Sequence, residues 1–485
     1  MSQATMTSSN QQVAPESLVG RRLHFMGAGG IGVSALMELA HARGAVVSGC
    51  DCSEDGQVGH LRSLGMAVEV GHSPKHVLHC DELVYSPAVP EDHPELLAAR
   101  AQRKATTVRM AMLGRLLRGT RAICVTGSHG KTSTTWLVGR VLVEARRDPT
   151  VLVGGVVPSL KSNFRLGRLP EPGVTPEFVL ETDESDNRLN EIRPTLPIVT
   201  NIDNDHLEHF GSIQALQQAL TRFMASAAES RDPLSVLIGC GDDRRVLAAM
   251  TEASKRTGLS VLDYGFQPER TIRADDILET PQSARFTARG PFGVWRDLQV
   301  GIPGRHYVAN ALAAVAVAWR LGVSETVVRQ ALATCDRVGR RFEIKGECNG
   351  ARVVDDYGHH PTELRATFRS ARAAASEGRL AIVFQPHRYT RTRALMDEFA
   401  EALASGRADR IVLLPVYAAS EEPIPGARTE ELAVQTLGCG YRAVQVLRNR
   451  DEVVAELRSW AKPGDLILTQ GAGDVTKVAD QLVAC

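Results

Sequence analysis

Residues 121–136 read RAICVTGSHGKTSTTW. An apolar run, Arg121–Val125, stops at a turn containing Gly127 and Gly130, and Lys131-Thr132 then opens a helical stretch. Strand, glycine turn and helix in that order point backbone N–H groups and a helix N-terminus at phosphate. The usual G-x-x-x-x-G-K-[ST] pattern needs glycine where Val125 stands, so this is a shortened phosphate loop. Its mechanics survive. Gly127, Ser128, His129, Gly130, Lys131, Thr132 and Ser133 are the expected ATP contacts. Lys131 reaches the β- and γ-phosphates, and the Thr132 hydroxyl faces Mg²⁺. The chain is poor in lysine and rich in arginine, and a lysine here suits a compact charge inside a nest of amides.

A second glycine turn lies upstream, in RLHFMGAGGIG (22–32), followed by the helical run VSALMELAHARG (33–44). Gly27, Gly29 and Gly32 make G-x-G-x-x-G directly after a strand, the context in which a pyrophosphate sits on a helix N-terminus. Residues Gly27, Ala28, Gly29, Gly30, Ile31 and Gly32 are therefore expected to hold a nucleotide diphosphate. Asp51, after the next strand, stands where a ribose-binding acid is expected. The turn alone does not imply hydride transfer, because UDP carries the same pyrophosphate as NAD.

Between and beyond these turns, β-like apolar runs alternate with helical ones. The runs are Arg22–Met26, Ala45–Gly49, Arg121–Val125, Glu177–Glu181, Ile198–Asn201, Arg352–Asp355, Ala381–Gln385, Arg410–Leu414 and Leu466–Gln470. That alternation predicts an α/β protein with parallel sheets, whose ligands meet the carboxyl ends of the strands. Three blocks are expected, 20–118, 119–336 and 337–485, after a disordered tail over 1–19. The Pro- and Gly-rich stretch 158–176 reads as a loop.

At 485 residues the chain has room for about three domains. Lys+Arg and Asp+Glu balance at 56 each, which argues against a nucleic-acid or polybasic membrane partner. Nine cysteines without a Cys-x-x-Cys spacing read as reduced, cytosolic usage rather than a disulfide frame or a zinc site. The polar N-terminus does not read as a signal peptide, and the alanine-rich run near 309–319 is too short to span a bilayer. A cytoplasmic protein is expected.

Further segments identify a family. ETDESD (181–186) and TNIDNDHLEHFG (200–211) follow TGSHGKTSTT (126–135) in order. After them come PGRHYVANALAA (303–314), GRRFE (339–343), DDYGHHPTE (355–363), FQPHRYTRTR (384–393), YAASEEPI (417–424) and GAGD (471–474). Together these resemble the Mur ligase superfamily, ATP-dependent amide-forming enzymes of peptidoglycan assembly, and most closely its alanine-adding branch. The resemblance runs from about residue 21 to 475. It implies two Rossmann-like parallel-sheet domains flanking a central phosphate-loop ATPase domain. The implied substrates are ATP, UDP-N-acetylmuramate and L-alanine, with Mg²⁺ as cofactor and a monomer or weak homodimer as the working state.

By the same resemblance, Thr132, Glu181 and His206 hold the metal, and Lys131, Glu181, His206 and His359 form the catalytic set. Asn310 contacts adenine, Arg341 reaches the ATP phosphates, and Asp356 binds ribose. The first glycine turn holds UDP with Asp51, His72 and Ser86. Tyr357, His359, Arg388 and Arg391 hold L-alanine; arginine's planar fork matches a carboxylate. Asp183, Glu184 and Asp186 are extra acids, some of them expected in a solvated turn. Many Mur ligases use a carbamylated lysine after the D-H-x-x-x-x-G segment, but this chain has no lysine between 161 and 255. A tripeptide-adding branch shares the phosphate loop and DDYGHHP and is the rival reading. A dehydrogenase fused to an ATP module rests on G-A-G-G-I-G alone. A non-catalytic nucleotide-binding protein leaves the metal and phosphate residues unexplained.

Overall fold

The computed structural model describes residues 16–484 except 55, 172, 185–186 and 206–209. His206, the expected metal ligand, and most of the expected tail lie outside the described residues. The tail boundary at 19 is too late. Leu18 is buried, and the Glu16 carboxylate accepts from both the Nε and Nη2 of Arg115 at 2.9 and 2.8 Å.

The chain divides into two compact units. The first holds residues 1–156, 160–271 and 313–324; the second holds 157–159, 272–312 and 325–485. The first unit contains two sheets. One is wholly parallel, built from β1 (Arg22–Met26), β2 (Val46–Asp51), β3 (Ala67–Val70), β4 (Glu82–Tyr85) and β5 (Ala105–Val108) in the order β3-β2-β1-β4-β5. Helix α1 (Ile31–Ala42) follows the first glycine turn and buries Val33, Leu36, Met37 and Ala40. The second sheet is formed by β6 (Arg121–Thr126), β7 (Thr150–Val157), β8 (Ser162–Arg165), β9 (Glu177–Glu181), β10 (Leu196–Val199), β11 (Leu237–Cys240) and β12 (Val261–Gly265). Its order is β12-β11-β10-β6-β9-β7-β8. The central strand β6 is buried almost throughout, as a strand covered on both faces must be. Helix α2 (Lys131–Glu144) leaves the turn at the end of β6.

In the second unit, β13 (Ile272–Glu279), β14 (Ala284–Gly290) and β15 (Gly293–Val300) form an antiparallel meander. A mixed sheet follows, from β16 (Glu343–Cys348), β17 (Ala351–Asp356), β18 (Leu380–Phe384), β19 (Arg410–Leu413), β20 (Val444–Val446) and β21 (Leu466–Gln470). Its order is β16-β17-β21-β18-β19-β20, with only β16 antiparallel. Helix α3 (Arg305–Arg320) joins the two units in sequence. Helix α4 (Pro361–Ala375) is capped by His360, whose ring accepts from the Thr362 N–H.

The parallel-sheet expectation stands, and β1, β9 and β21 have the bounds read from sequence. The stretch 158–176 is not all loop. Ser162, Asn163 and Phe164 are buried in β8, where the short polar side chains hydrogen-bond inward: Asn163 Nδ2 donates to the carbonyl of Val153 at 3.3 Å. No described helix is long and apolar enough to cross a membrane.

Candidate active site

In the first unit the phosphate loop is built by its neighbours just after β10. Gly127 holds φ at +116°, and a Cβ there would lie 2.5 Å from Thr200 Oγ1 and 2.8 Å from the Asn201 carbonyl, so only glycine fits. Asn201 grips the loop twice: its Oδ1 accepts from the His129 N–H at 2.8 Å and its Nδ2 donates to the His129 carbonyl at 2.9 Å. Thr200 Oγ1 donates to the same carbonyl at 2.7 Å. His129 Nε2 lies 3.0 Å from Asp203. Gly130, at φ +82°, caps α2, and Thr132 is buried in its first turn. Ser133 occupies the next position.

Lys131 Nζ donates to the Gly127 carbonyl at 2.7 Å and to Glu184 Oε1 at 2.9 Å. Burial disfavours the ammonium, but Glu184, Asp183 and Glu181 more than offset it and raise the pKa above the usual lysine value. Glu184 is not part of a solvated turn. It is buried and also accepts from Thr126 Oγ1 at 3.2 Å. Its role was hidden because its partners lie more than fifty residues upstream. Glu181 closes β9 in register with Val125 of β6, and its Oε2 accepts from the Gly154 N–H at 2.8 Å. A Cβ on Gly154 would collide with that carboxylate. Glu181, Asp183 and the Thr132 hydroxyl are hard oxygen donors, a set that suits Mg²⁺.

At the first glycine turn, the Gly27 and Ala28 N–H groups both donate to the Cys50 carbonyl, at 2.9 and 3.0 Å. Asp51 Oδ2 accepts from the Gly29 N–H at 2.8 Å. That oxygen braces the turn itself, a role the expected ribose contact did not include. Gly30 ends the turn as the N-cap of α1, whose first residues are Ile31 and Gly32. Ser86 follows β4, with its Oγ accepting from Ala88 at 3.3 Å. His72, at the exposed edge of a separate cluster, has its Nδ1 3.3 Å from Cys50 Sγ and 3.5 Å from Glu95.

A cavity of about 220 Å³ runs from the end of the first glycine turn to the carboxyl end of β9. Ile31, Gly32 and Arg109 line it from one sheet's layer, and Gly154, Glu181 and Asp183 from the other's. Arg109 escaped the sequence reading. It packs against Gly32 so closely that any side chain there would collide with its guanidinium, and it belongs to no local motif.

In the second unit, Tyr357, His359, His387 and Tyr417 form a chain of rings. Tyr357 and His359 meet edge-on at 5.4 Å, and His387 stacks on Tyr417 at 5.6 Å. Arg340 and Arg341 lie over the Tyr357 ring at 5.0 and 5.1 Å. His359 Nδ1 is 3.2 Å from the Tyr357 carbonyl. Arg391 Nη1 is 3.4 Å from His387 Nδ1, and Arg388 takes φ +68° while its N–H donates to the Tyr417 carbonyl at 2.8 Å. Burial, then Arg391 and Arg388, push the His387 pKa down to about 4.

Asp356 is almost wholly buried. It accepts from the Phe342 and Gly358 N–H groups, each at 2.9 Å, and from Gln470 Nε2 at 3.1 Å. Its carboxylate thus clamps the β17–α4 turn beside any contact it makes with ribose. Asn310 is buried within α3.

Comparisons with known proteins now bear on the chain. Residues 22–121 match the model of the Mur ligase family catalytic domain, 125–318 the Mur ligase middle domain, and 340–473 the Mur ligase glutamate ligase domain. The chain is 41% identical over 468 residues to the UDP-N-acetylmuramate–L-alanine ligase of Stenotrophomonas maltophilia, covering 95% of this chain and 94% of that one. It is also 41% identical over 463 residues to the enzyme of the same name from Anaeromyxobacter sp., covering 95% and 97%. Among solved structures, a UDP-N-acetylmuramate–alanine ligase from Thermotoga maritima superposes with TM-score 0.77 at 26% identity, over 95% of this chain and 98% of that one. A murein peptide ligase from Psychrobacter arcticus has TM-score 0.67 at 23% identity over 96% and 98%, a likeness of fold.

Proposed function

The chain belongs to the Mur ligase family, and from that we infer that it joins L-alanine to the lactyl carboxylate of UDP-N-acetylmuramate at the expense of ATP. The reaction has two steps. The carboxylate oxygen attacks the γ-phosphorus and ADP leaves, giving an acyl phosphate. The alanine nitrogen then attacks the acyl carbon, loses a proton, and phosphate departs. A carboxylate is a poor electrophile with no leaving group, so the first step is what makes the second possible. The protein's task is alignment and charge neutralisation.

The observation that carries this reading is the cavity joining the first glycine turn to Glu181 and Asp183. A UDP-sugar anchored at Gly27–Gly32 can extend its carboxylate past Arg109 toward the phosphate loop. Lys131 supplies positive charge to the transferred phosphoryl. Thr132, Glu181 and His206 are the proposed ligands of Mg²⁺, which when bound neutralises phosphate charge. In the second unit, Arg388 and Arg391 pair with the alanine carboxylate, Tyr357 and His359 flank its amine, and His359 is the proposed proton acceptor. Asn310, Arg341 and Asp356 are assigned to ATP, and His72 and Ser86 to the UDP-sugar.

The tripeptide-adding reading has less support, since the 41% identical relatives carry the alanine-adding name. The test is ADP release with UDP-N-acetylmuramate and either L-alanine or the tripeptide. Turnover with alanine and none with tripeptide is expected; the reverse result overturns the assignment.

A further inference from the structure

Beside the first glycine turn, and outside every role assigned above, lies a largely buried cluster of the side chains of His24, Cys50, His76 and Glu95. One ligand atom from each lies within 4.8 Å of all the others. We propose that these four side chains form a closed zinc site that braces the strand ends carrying the UDP turn. This departs from the expectation that the cysteines serve no zinc site.

Three features carry the proposal. The first is the distances. Ligands about 2.1 Å (N, O) or 2.3 Å (S) from a tetrahedral zinc sit roughly 3.4–3.6 Å from one another. His24 Nε2 is 3.4 Å from Cys50 Sγ, and Cys50 Sγ is 3.6 Å from Glu95 Oε1. The His76 Nδ1 to Glu95 Oε1 edge, at 2.9 Å, has to open slightly.

The second is the outer partners. His24 Nδ1 lies 2.9 Å from Ser48 Oγ, and His76 Nε2 lies 3.1 Å from Glu69. Metal-binding histidines use the far ring nitrogen in this way, donating it to an oxygen so that the near nitrogen keeps its lone pair. A His76 ring donating to Glu69 turns a lone pair toward the Glu95 carboxylate, and two acceptors at 2.9 Å need a cation or a proton between them.

The third is charge. Zn²⁺ with one thiolate, one carboxylate and two neutral imidazoles is neutral overall, which suits side chains as buried as His24 at 3% and Glu95 at 0% exposure. Zn²⁺ would displace the Cys50 thiol proton, which is released on binding.

The consequence reaches the UDP turn through the backbone. Cys50 is the residue whose carbonyl accepts from Gly27 and Ala28, and the adjoining Asp51 holds Gly29. The site would also tie β1 and β2 to the 3₁₀ helix Pro74–His79 that carries His76 and to the helix Pro94–Ala101 that carries Glu95.

The test uses the full chain, purified, stripped with chelator and reloaded with Zn²⁺ or Co²⁺ alone in the presence of excess Mg²⁺. About one zinc per chain should survive gel filtration, and the cobalt form should show a thiolate-to-cobalt charge-transfer band with tetrahedral d–d absorption. Cys50→Ser, a near-isosteric change, should abolish the charge-transfer band, and His76→Gln, which removes a direct ligand, should weaken zinc binding by more than the ~100-fold that loss of an outer partner costs. Circular dichroism reports whether each variant is folded. A folded wild-type chain that retains no zinc, or a cobalt form lacking a thiolate band, overturns the proposal. That result would leave the four side chains as a hydrogen-bonded cluster without a metal.

Discussion

Lys131 Nζ sits 2.9 Å from Glu184 Oε1, and both side chains are largely buried. The lysine is thus held by a carboxylate and by the Gly127 carbonyl rather than projecting into solvent. ATP would compete for the same ammonium. Glu184→Ala leaves a buried cation partly uncompensated, with Asp183 and Glu181 still nearby, so the expected loss of stability is about 3 kcal/mol, the low end for breaking a buried pair. Saturating ATP should restore part of it, because the phosphates replace the lost charge. Chemical denaturation with and without ATP measures both effects; an unchanged midpoint in the absence of ATP refutes the structural role of this pair.

Lys131→Ala leaves the buried Glu184 carboxylate without its cation, so the variant should remain folded with about 3 kcal/mol less stability and lose ligation by roughly 10³-fold or more, since charge developing on the phosphoryl loses its nearest cation. ADP release at saturating substrates reads this out. Near-normal turnover in a folded variant removes Lys131 from the chemistry.

Gly127→Ala tests the loop's construction. Its φ of +116° and the Thr200 and Asn201 atoms within 3.0 Å leave no place for a Cβ. Gly293→Ala is the control, with φ +90° and nothing within 4 Å. The control should lose about 1 kcal/mol for backbone strain alone. Gly127→Ala should lose more, up to about 3 kcal/mol, together with ATP affinity. Equal losses in denaturant would show that the Thr200–Asn201 contacts give way freely.

These cases also show what the sequence could and could not reveal. The glycine turns were legible because phosphate binding needs a fixed local order of strand, glycine and helix. Lys131 and Glu181 follow from that order and from the family motifs. Glu184 and Arg109 did not, since each acts on a partner that is distant in the chain and falls in no period. The meander Ile272–Val300 was missed for a different reason: its residues alternate only partly, with charged side chains such as Asp275, Arg285 and Arg289 along antiparallel strands exposed on one face. The cluster around Cys50 was invisible because His24, Cys50, His76 and Glu95 come from four elements spread over more than seventy residues.

Glu181→Ala should raise the Mg²⁺ concentration needed for half-maximal turnover by about 10-fold or more, since a hard divalent cation loses a carboxylate ligand. Binding of UDP-N-acetylmuramate, followed calorimetrically without ATP, should change little. An unchanged Mg²⁺ titration takes Glu181 off the ligand list.

Arg388 brings strain and function together. It holds φ at +68° and ψ at +134°, a region non-glycine residues avoid, while its N–H is fixed by the Tyr417 carbonyl. Such strain of about 1–3 kcal/mol persists where the side chain is needed. Arg388→Gly should therefore stabilise the fold by about 1 kcal/mol while raising the KM for L-alanine roughly 30-fold or more, because a carboxylate loses its charged partner. Lys at 388 should rescue binding only in part, lacking the bidentate fork. The neighbouring His387 gives a second readout. Its folded pKa of about 4 lies below the ordinary value, so as pH falls from about 6.5 toward 4 the unfolded chain takes up a proton that the folded chain does not. Its contribution to stability is thus present above that window and lost as pH falls through it. Removing the Arg388 or Arg391 charge lets the His387 pKa rise toward 6.5, which shrinks this acid sensitivity. Initial rates against alanine concentration, denaturation midpoints and a histidine titration by NMR measure the three effects. An Arg388→Gly protein that is more stable and binds alanine within twofold of wild type would mean that the strain serves something other than the amino acid's carboxylate.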